Sequence, residues 1–378
     1  MPKRLSDLEP VYVVGIGLHR YQPLSETSYV TLGLAAIREA LDDAGIAWAD
    51  VESTYVGTGL LGMAAGRPML RHLGAYGKPL VHIENASASG SAAFRHACIE
   101  AAAGISDVVL AVGVDKPALV NRPKTGIQGL AEDAIVPFTH FALLTNEYAA
   151  RHKVRPEDVA LVALKNHRNG AANPYAHRQK ARTLDEILSG KAISGTLTAL
   201  QCCPVGEGAA AAIVANAAGL KRLGLDPKRA VRVAASAGQS ERAGTGSSAD
   251  ARLTADTTAE ALAEAQLAPA ALDIVELHDA FTIEELHYVE AMGICPEGQA
   301  IHLLKDGAFN IGGRCAVSPS GGLIAMGHPI GPTGLGQIVE VTRQLRGEAG
   351  TRQHKGARNG LAHMVGLGAV CYVHVLSA

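Results

Sequence analysis

The chain has 378 residues, of which 48% are hydrophobic, 19% charged and 4% aromatic, with 42 glycines. That apolar supply excludes a disordered chain, and the length exceeds what one core usually serves, so two or more subdomains are expected. A net charge of −2 and a pI near 6.7 argue against a nucleic-acid partner.

No run of 18 apolar residues is present, so no membrane-spanning helix is expected, and MPKRLSDLEP lacks the apolar stretch of a signal peptide. The C-terminal Leu376-Ser377-Ala378 is not a peroxisomal address. Six cysteines occur without a C-x-x-C pair, so no metal site is expected and a reducing cytoplasm is the simplest location.

In chain order, Val11 to Gly17 reads as a buried strand. Thr27 to Ala44 reads as a helix with Val30, Leu34, Ile37 and Leu41 on one face and Gly45 as its stop. Ser53 to Gly59 and Val81 to Ala86 read as strands, Ala88 to Ala103 as a helix, and Asp107 to Val114 as a strand buried on both faces. Residues 117–205 are more polar and basic and read as an excursion domain. The remainder predicts strands at Ala209 to Ala215, Val231 to Ser236, Ile274 to His278 and Met364 to Leu376. Helices are predicted at Thr257 to Gln266, Thr282 to Met292 and Leu335 to Leu345. This order mirrors the first part and implies a duplicated topology, although the two sequences are not visibly repeated.

Three stretches carry the candidate chemistry. Ser87, in Glu84-Asn-Ala-Ser-Ala-Ser-Gly90, sits where a strand meets a helix N-terminus. Positive partial charge and free N–H groups there suit a nucleophile or an oxyanion, though a plain capping serine fits the same pattern. His278 ends an apolar strand and should stand over a crevice, where it could polarise a carbonyl or act only as a packed histidine. His328, between Gly327 and Pro329, is held on a turn and is the stronger acid–base candidate.

Ser318 to Gly334, reading SPSGGLIAMGHPIGPTG, resembles the signature of the thiolase superfamily. His278-Asp-Ala-Phe281 resembles the histidine motif of the sterol-carrier-protein type and its archaeal, acetyl-CoA acetyltransferase-like relatives. Cys202-Cys-Pro-Val-Gly-Glu-Gly-Ala-Ala-Ala211, Asn173-Pro-Tyr175 and Gly293-Ile-Cys-Pro-Glu-Gly298 also fit. The resemblance implies an α/β thiolase fold: two duplicated halves stacked as α-β-α-β-α layers with an inserted loop domain. Residues 1–116 and 206–230 would form the first half, 117–205 the loop domain and 231–378 the second half. It further implies an acyl-CoA substrate, with coenzyme A as a substrate and no covalently bound cofactor, and a homodimer formed through the first half. A separate accessory subunit carrying a zinc ribbon and an OB-fold is an expected partner of this type.

By the same resemblance, His328 matches the histidine that activates the nucleophile and His278 the group that helps form an oxyanion hole. Ser87 falls where the family carries cysteine. Ala280 stands where the sterol-carrier type places a further cysteine, and His363 lies roughly where other thiolases put their second one. Arg168 in the basic run Lys165 to Arg182, Arg242, Ser247 and Gly327 are the candidate coenzyme A contacts, and His140 a candidate pocket residue.

Serine at 87 changes the chemistry expected. An acyl-cysteine is level with acyl-CoA, whereas an acyl-serine is an ordinary ester and lies lower, and serine is harder to ionise. Three readings follow. One is a thiolase-like acyltransferase that cleaves or forms 3-oxoacyl-CoA, altered at its nucleophile by engineering or natural loss. The second is a retro-aldol lyase acting on a hydroxyacyl-CoA without a covalent intermediate. The third is a non-catalytic acyl-CoA-binding subunit.

Overall fold

The computed structural model describes residues 3–74, 77–117, 137–242, 249–367 and 369–378. The chain enters through β1 (Val11–Gln22) and α1 (Tyr29–Ala44), then β2 (Ser53–Gly57), α2 (Gly66–Arg71), β3 (Leu80–Ile83), α3 (Ser89–Ala102) and β4 (Val108–Asp115). An excursion follows, with α4 (Pro137–His152), α5 (Ala160–Ala171), α6 (Leu184–Leu188) and the hairpin of β5 (Ala192–Ser194) and β6 (Leu197–Thr198). The chain returns in β7 (Glu207–Asn216), α7 (Ala217–Leu223) and β8 (Val231–Ser240). Then come α8 (Ala249–Ala265), β9 (Ile274–Glu276), α9 (Thr282–Ala291), α10 (Ala300–Lys305), β10 (Ala316–Val317), α11 (Gly322–Ala325), α12 (Thr333–Arg346), β11 (Asn359–Gly366) and β12 (Val370–Ser377).

Ten of these strands hydrogen-bond in the order β10-β9-β11-β12-β8-β1-β7-β4-β2-β3. The sheet is one motif written twice. In the first half β3, β2 and β4 run parallel, and β7 and β1 continue antiparallel. In the second half β10, β9 and β11 are parallel, and β12 and β8 antiparallel. The halves meet where Tyr12 and Val13 pair with Arg232 and Val231. Helix α1 covers the outer face of the first half and α8 that of the second, while α3 and α12 lie between them. These are the five layers that the resemblance implies.

The residue pattern explains the layering. Every position of β4 is buried. Val109 and Ala111 join the central cluster with Phe94 and Leu335, whereas Leu110 and Val112 face Leu32 and Ile37 of α1. A strand covered on both faces must be apolar throughout, as this one is. Helix α1 is delimited by its own residues: Ser28 caps Thr31 N–H, and Gly45 ends it at φ +69°.

Two local expectations are corrected, and two features are added. The helix expected from Thr257 begins at Ala249. The single strand expected over Met364 to Leu376 is two antiparallel strands, because the chain reverses after Gly366, with Leu367 at φ +50°. The short strand β10 was not foreseen. Within the basic run Lys165 is buried, donating to Val317 O at 2.6 Å and Glu285 Oε2 at 3.1 Å. Arg178 is spent on the carbonyls of Ala199, Cys202 and Ile324. Desolvating these cations is offset by acceptors far away in sequence, which periodicity cannot reveal.

Candidate active site

Three turns, each at the end of a strand or the start of a helix, deliver the candidate side chains. After β3 the chain tightens so that Ala86 adopts φ +49°, a conformation costly for a residue with a Cβ. Ser89 Oγ holds this turn by accepting from Asn85 N–H and donating to Ala86 O. Ser87 is thereby fixed just ahead of α3, 7% exposed.

The second turn is locked into the first half of the fold. Gly327 has φ +110°, and a Cβ there would lie 3.1 Å from His177 Cβ. The Gly331 carbonyl fits a slot that a Cβ on Gly90 or Gly113 would fill, at 2.4 Å and 2.7 Å. Asp115, at the end of β4, completes the lock: its carboxylate accepts from Gly331 N–H at 2.7 Å, Gly59 N–H and Leu60 N–H at 2.9 Å, and the Thr58 hydroxyl. Burial pushes the Asp115 carboxyl up, against the pull of these four bonds.

His328 emerges from this turn with Nε2 3.0 Å from Ser87 Oγ and Nδ1 2.9 Å from Thr333 Oγ1 at the start of α12. Burial first, and the neighbouring His278 second, hold its pKa well below the usual imidazole range, so the ring is neutral near pH 7. With its proton on Nδ1 facing Thr333, Nε2 can accept the Ser87 hydroxyl proton.

The third turn follows β9. His278 stands edge-on to His328, ring centroids 5.2 Å apart and planes at 90°. Its Nδ1 lies 3.0 Å from Glu284 Oε1. Glu284 Oε2 accepts from Phe281 N–H, so one carboxylate both caps α9 and holds the ring. Asp279, next in sequence, turns away: it accepts from Asn166 Nδ2 and Leu323 N–H and ties the excursion to the Ser318–Ala325 segment.

Ser87, His278 and His328, separated by up to 241 positions, are thus brought together. His363 lies against this group but is fully buried: Nε2 meets Thr254 Oγ1 at 3.0 Å, and Nδ1 accepts from His278 N–H at 3.4 Å. Burial, then His278, lowers its pKa to about 3, so it too is neutral. Arg168 is not part of the group; it is exposed on α5, donates to Asn310 Oδ1 and lines a depression of about 370 Å³ with Thr351 and Arg352. Arg242 is exposed just past β8, and Ser247 lies outside the described residues. His140 stacks edge-on against Phe141, which in turn stacks on Phe281 beside the histidine motif.

Sequence reasoning passed over Glu284, Thr333 and Asp115. Glu284 had a signal, an acid three residues after the helix boundary, but the N-cap is Phe281 rather than the serine or threonine of a full capping box. Among the described residues no three His, Cys, Asp or Glu side chains are grouped as a metal site requires, and the six cysteines are unpaired.

The comparisons agree with this architecture. The family "Thiolase, N-terminal domain" matches residues 15–189 and "Thiolase C-terminal domain-like" residues 237–377. The chain is 36% identical to sterol carrier protein 2 of Gallus gallus over 393 residues, covering 96% of this chain and 71% of that protein. It is 34% identical to the benzoylsuccinyl-CoA thiolase subunit BbsB of Thauera aromatica, covering 95% of each. Among solved structures, the "Ltp2-ChsH2(DUF35) aldolase" superposes with a TM-score of 0.84 over 98% of both chains, at 22% identity. Two halves of one topology, a glycine-bound turn carrying His328 beside the Glu284-held His278, and these matches along nearly the whole length lead to one conclusion: the chain belongs to the thiolase family.

Proposed function

We propose that this chain breaks a carbon–carbon bond in a 3-hydroxyacyl-CoA by a retro-aldol route, without an acyl-enzyme. The observation that carries this reading is a hydroxyl, Ser87 Oγ, 3.0 Å from the neutral His328 Nε2 and beside a second imidazole. In this route a neutral imidazole takes the proton of the substrate 3-hydroxyl. The Cα–Cβ bond breaks, its electron pair forms the thioester enolate, an aldehyde or ketone leaves, and the proton returns to Cα. No proton is gained or lost overall. Ser87 and the N-terminus of α3 supply hydrogen bonds and positive potential for the enolate oxygen. The solved aldolase of the same fold supports this reading.

A second reading is thiolysis or Claisen condensation of 3-oxoacyl-CoA with Ser87 as nucleophile. The Ser87–His328 hydrogen bond favours it, as does the name of the Thauera relative. Against it stands the lower energy of an acyl-serine ester, from which return to coenzyme A is uphill.

Within the proposal His363, with both ring nitrogens engaged, braces His278 rather than acting as a base. The coenzyme A phosphates are assigned to the surface around Arg242, with Arg168 as a further candidate; Gly327 keeps the His328 turn clear of a side chain. A homodimer is assigned to the open edge of β3, where Val81 and His82 are exposed. An accessory subunit is supported by the ChsH2(DUF35) component named with the aldolase, and a cytoplasmic location by the unpaired cysteines.

The deciding experiment offers 3-hydroxyacyl-CoA esters in one series and 3-oxoacyl-CoA with free coenzyme A in another. A carbonyl product with a shortened acyl-CoA in the first series supports the proposal. Turnover in the second series alone, strengthened in Ser87→Cys, replaces it with acyl transfer.

A further inference from the structure

The histidine at position 278 is backed by a chain of groups that the family resemblance did not bring to notice. Glu284 Oε1, the atom facing His278 Nδ1, is also 3.1 Å from the hydroxyl of Tyr288, one helical turn further along α9. The same hydroxyl lies 2.8 Å from Asp250 Oδ2, in the first turn of α8. Glu284 and Tyr288 are 3% and 1% exposed, so water does not substitute for these contacts. Tyr288 is further held by its ring, which packs edge-on against His363 at 5.0 Å. At the outer end, Ala251 and His287, neighbours of Asp250 and Tyr288 in sequence, line a cavity of about 240 Å³ with Tyr148, His152 and Glu290.

Proton counting makes this arrangement informative. Glu284 accepts from Phe281 N–H through Oε2, so Oε1 is the atom left to hold His278. With Glu284 Oε1 as the acceptor of this contact, the His278 proton sits on Nδ1. Nε2 is then the ring nitrogen left for substrate. When the ring is neutral, Nε2 carries a lone pair and is a base. When Nε2 takes a proton, the ring is a cation paired to Glu284 and a donor. Tyr288 keeps its own proton, because burial and the two carboxylates push its phenol well above the usual range. Its single O–H therefore donates to Asp250 Oδ2 or to Glu284 Oε1, one at a time.

We propose that Glu284, Tyr288 and Asp250 are positioning residues that fix the His278 proton on Nδ1, so that His278 takes and returns the substrate proton at Nε2. This rests on the proposed acyl-CoA carbon–carbon chemistry and adds to it a named acid–base atom. It differs from a role for His278 as a permanent oxyanion donor, which needs N–H at Nε2 in the resting state. In the retro-aldol route, the 3-hydroxyl O–H bond breaks, the proton passes to Nε2, and the same proton returns to Cα.

The test uses the full chain, labelled with 15N at histidine, and reads the ring nitrogens of His278, assigned by their loss in His278→Asn. The expected spectrum shows Nδ1 protonated and Nε2 bare at pH 7.5. Glu284→Leu should move the proton to Nε2, the position free histidine prefers. Glu284→Gln keeps an oxygen at Nδ1 and should retain the tautomer while losing the charge. With a turned-over CoA ester, Glu284→Gln and Tyr288→Phe should each lower kcat by about tenfold or more, with KM changed less than about threefold. An Nδ1-protonated His278 that persists in Glu284→Leu overturns the proposal, as does wild-type kcat in Tyr288→Phe. Thermal melting of each variant separates lost fold from lost positioning. Failure of the unmodified protein to turn over any CoA ester contradicts the functional reading, while the ring spectrum still decides the hold of Glu284.

Discussion

The two halves share one strand order, yet they use the same place in that order differently. In the first half the link from β3 to α3 is five residues long and delivers a hydroxyl. In the second half the link from β10 to α12 runs from Ser318 to Pro332, contains α11, and delivers an imidazole. The edges differ as well. Val81 and His82 of β3 are exposed, whereas β10 is fully buried beneath the excursion, with Lys165 donating to Val317 O. One topology thus yields an open edge with a short turn and a sealed edge with a long one. The site forms where the short turn of one half meets the long turn of the other, so neither half contains it alone.

The largest expected effect comes from emptying the long turn. His328→Ala should reduce turnover by about a thousandfold or more while leaving CoA ester affinity within a few-fold, checked by steady-state kinetics and calorimetric titration. Retained turnover would mean that His328 itself contributes scaffold only.

The next effect breaks the lock between the halves. Asp115→Ala strands four donors, at Thr58, Gly59, Leu60 and Gly331, and should cost about 3 kcal/mol in denaturant unfolding. A loss below about 0.5 kcal/mol would show that the glycine slot holds the turn without the carboxylate.

A smaller effect concerns pH. Burial, and then Arg95, lowers the pKa of His374 to about 3. Its unfolded value is near 6.5, so the unfolded state binds the extra proton across that window. Stability from this residue is intact above pH 6.5 and is lost progressively as pH falls toward 3. Between pH 7 and pH 5 the loss is about 2 kcal/mol for one such site. His374→Leu should flatten the stability profile there by that amount, read from denaturant midpoints; an unchanged slope would assign the acid sensitivity to other groups.

The smallest effect tests the open edge. Val81→Lys should weaken self-association in sedimentation velocity with little change in melting temperature, because the side chain is 40% exposed on an edge strand. An unaltered association state would move the proposed interface away from β3.

Legibility in the sequence followed the range of the forces involved. Strand β4 and helix α1 could be read directly, since each repeats one residue type at one period. The turns at Ser87 and His328 could be read because glycine, proline and helix-start residues mark them locally. The reversal at Leu367 was marked by Gly366 and Gly368 on either side, a turn signal that the single-strand reading passed over. The burial of Lys165 and the carbonyl contacts of Arg178 could not be read, because the carbonyls and carboxylate that satisfy them lie 21 to 152 positions away. Asp115 was a lone acid after an apolar strand, and its role appears only once the Thr58–Leu60 turn and Gly331 of the second half converge on it. The backing of His278 was half visible as Phe281-Thr-Ile-Glu284, but its extension through Tyr288 to Asp250 needed α8 and α9 in place.

The central claim is that a hydroxyl and two imidazoles cleave a carbon–carbon bond without holding the acyl group. Intact-protein mass spectrometry during turnover of a 3-hydroxyacyl-CoA tests it most directly. The account predicts accumulation of carbonyl product and shortened acyl-CoA while the protein mass stays unmodified. An acyl adduct mapped to Ser87 that forms and decays at the rate of turnover would contradict it.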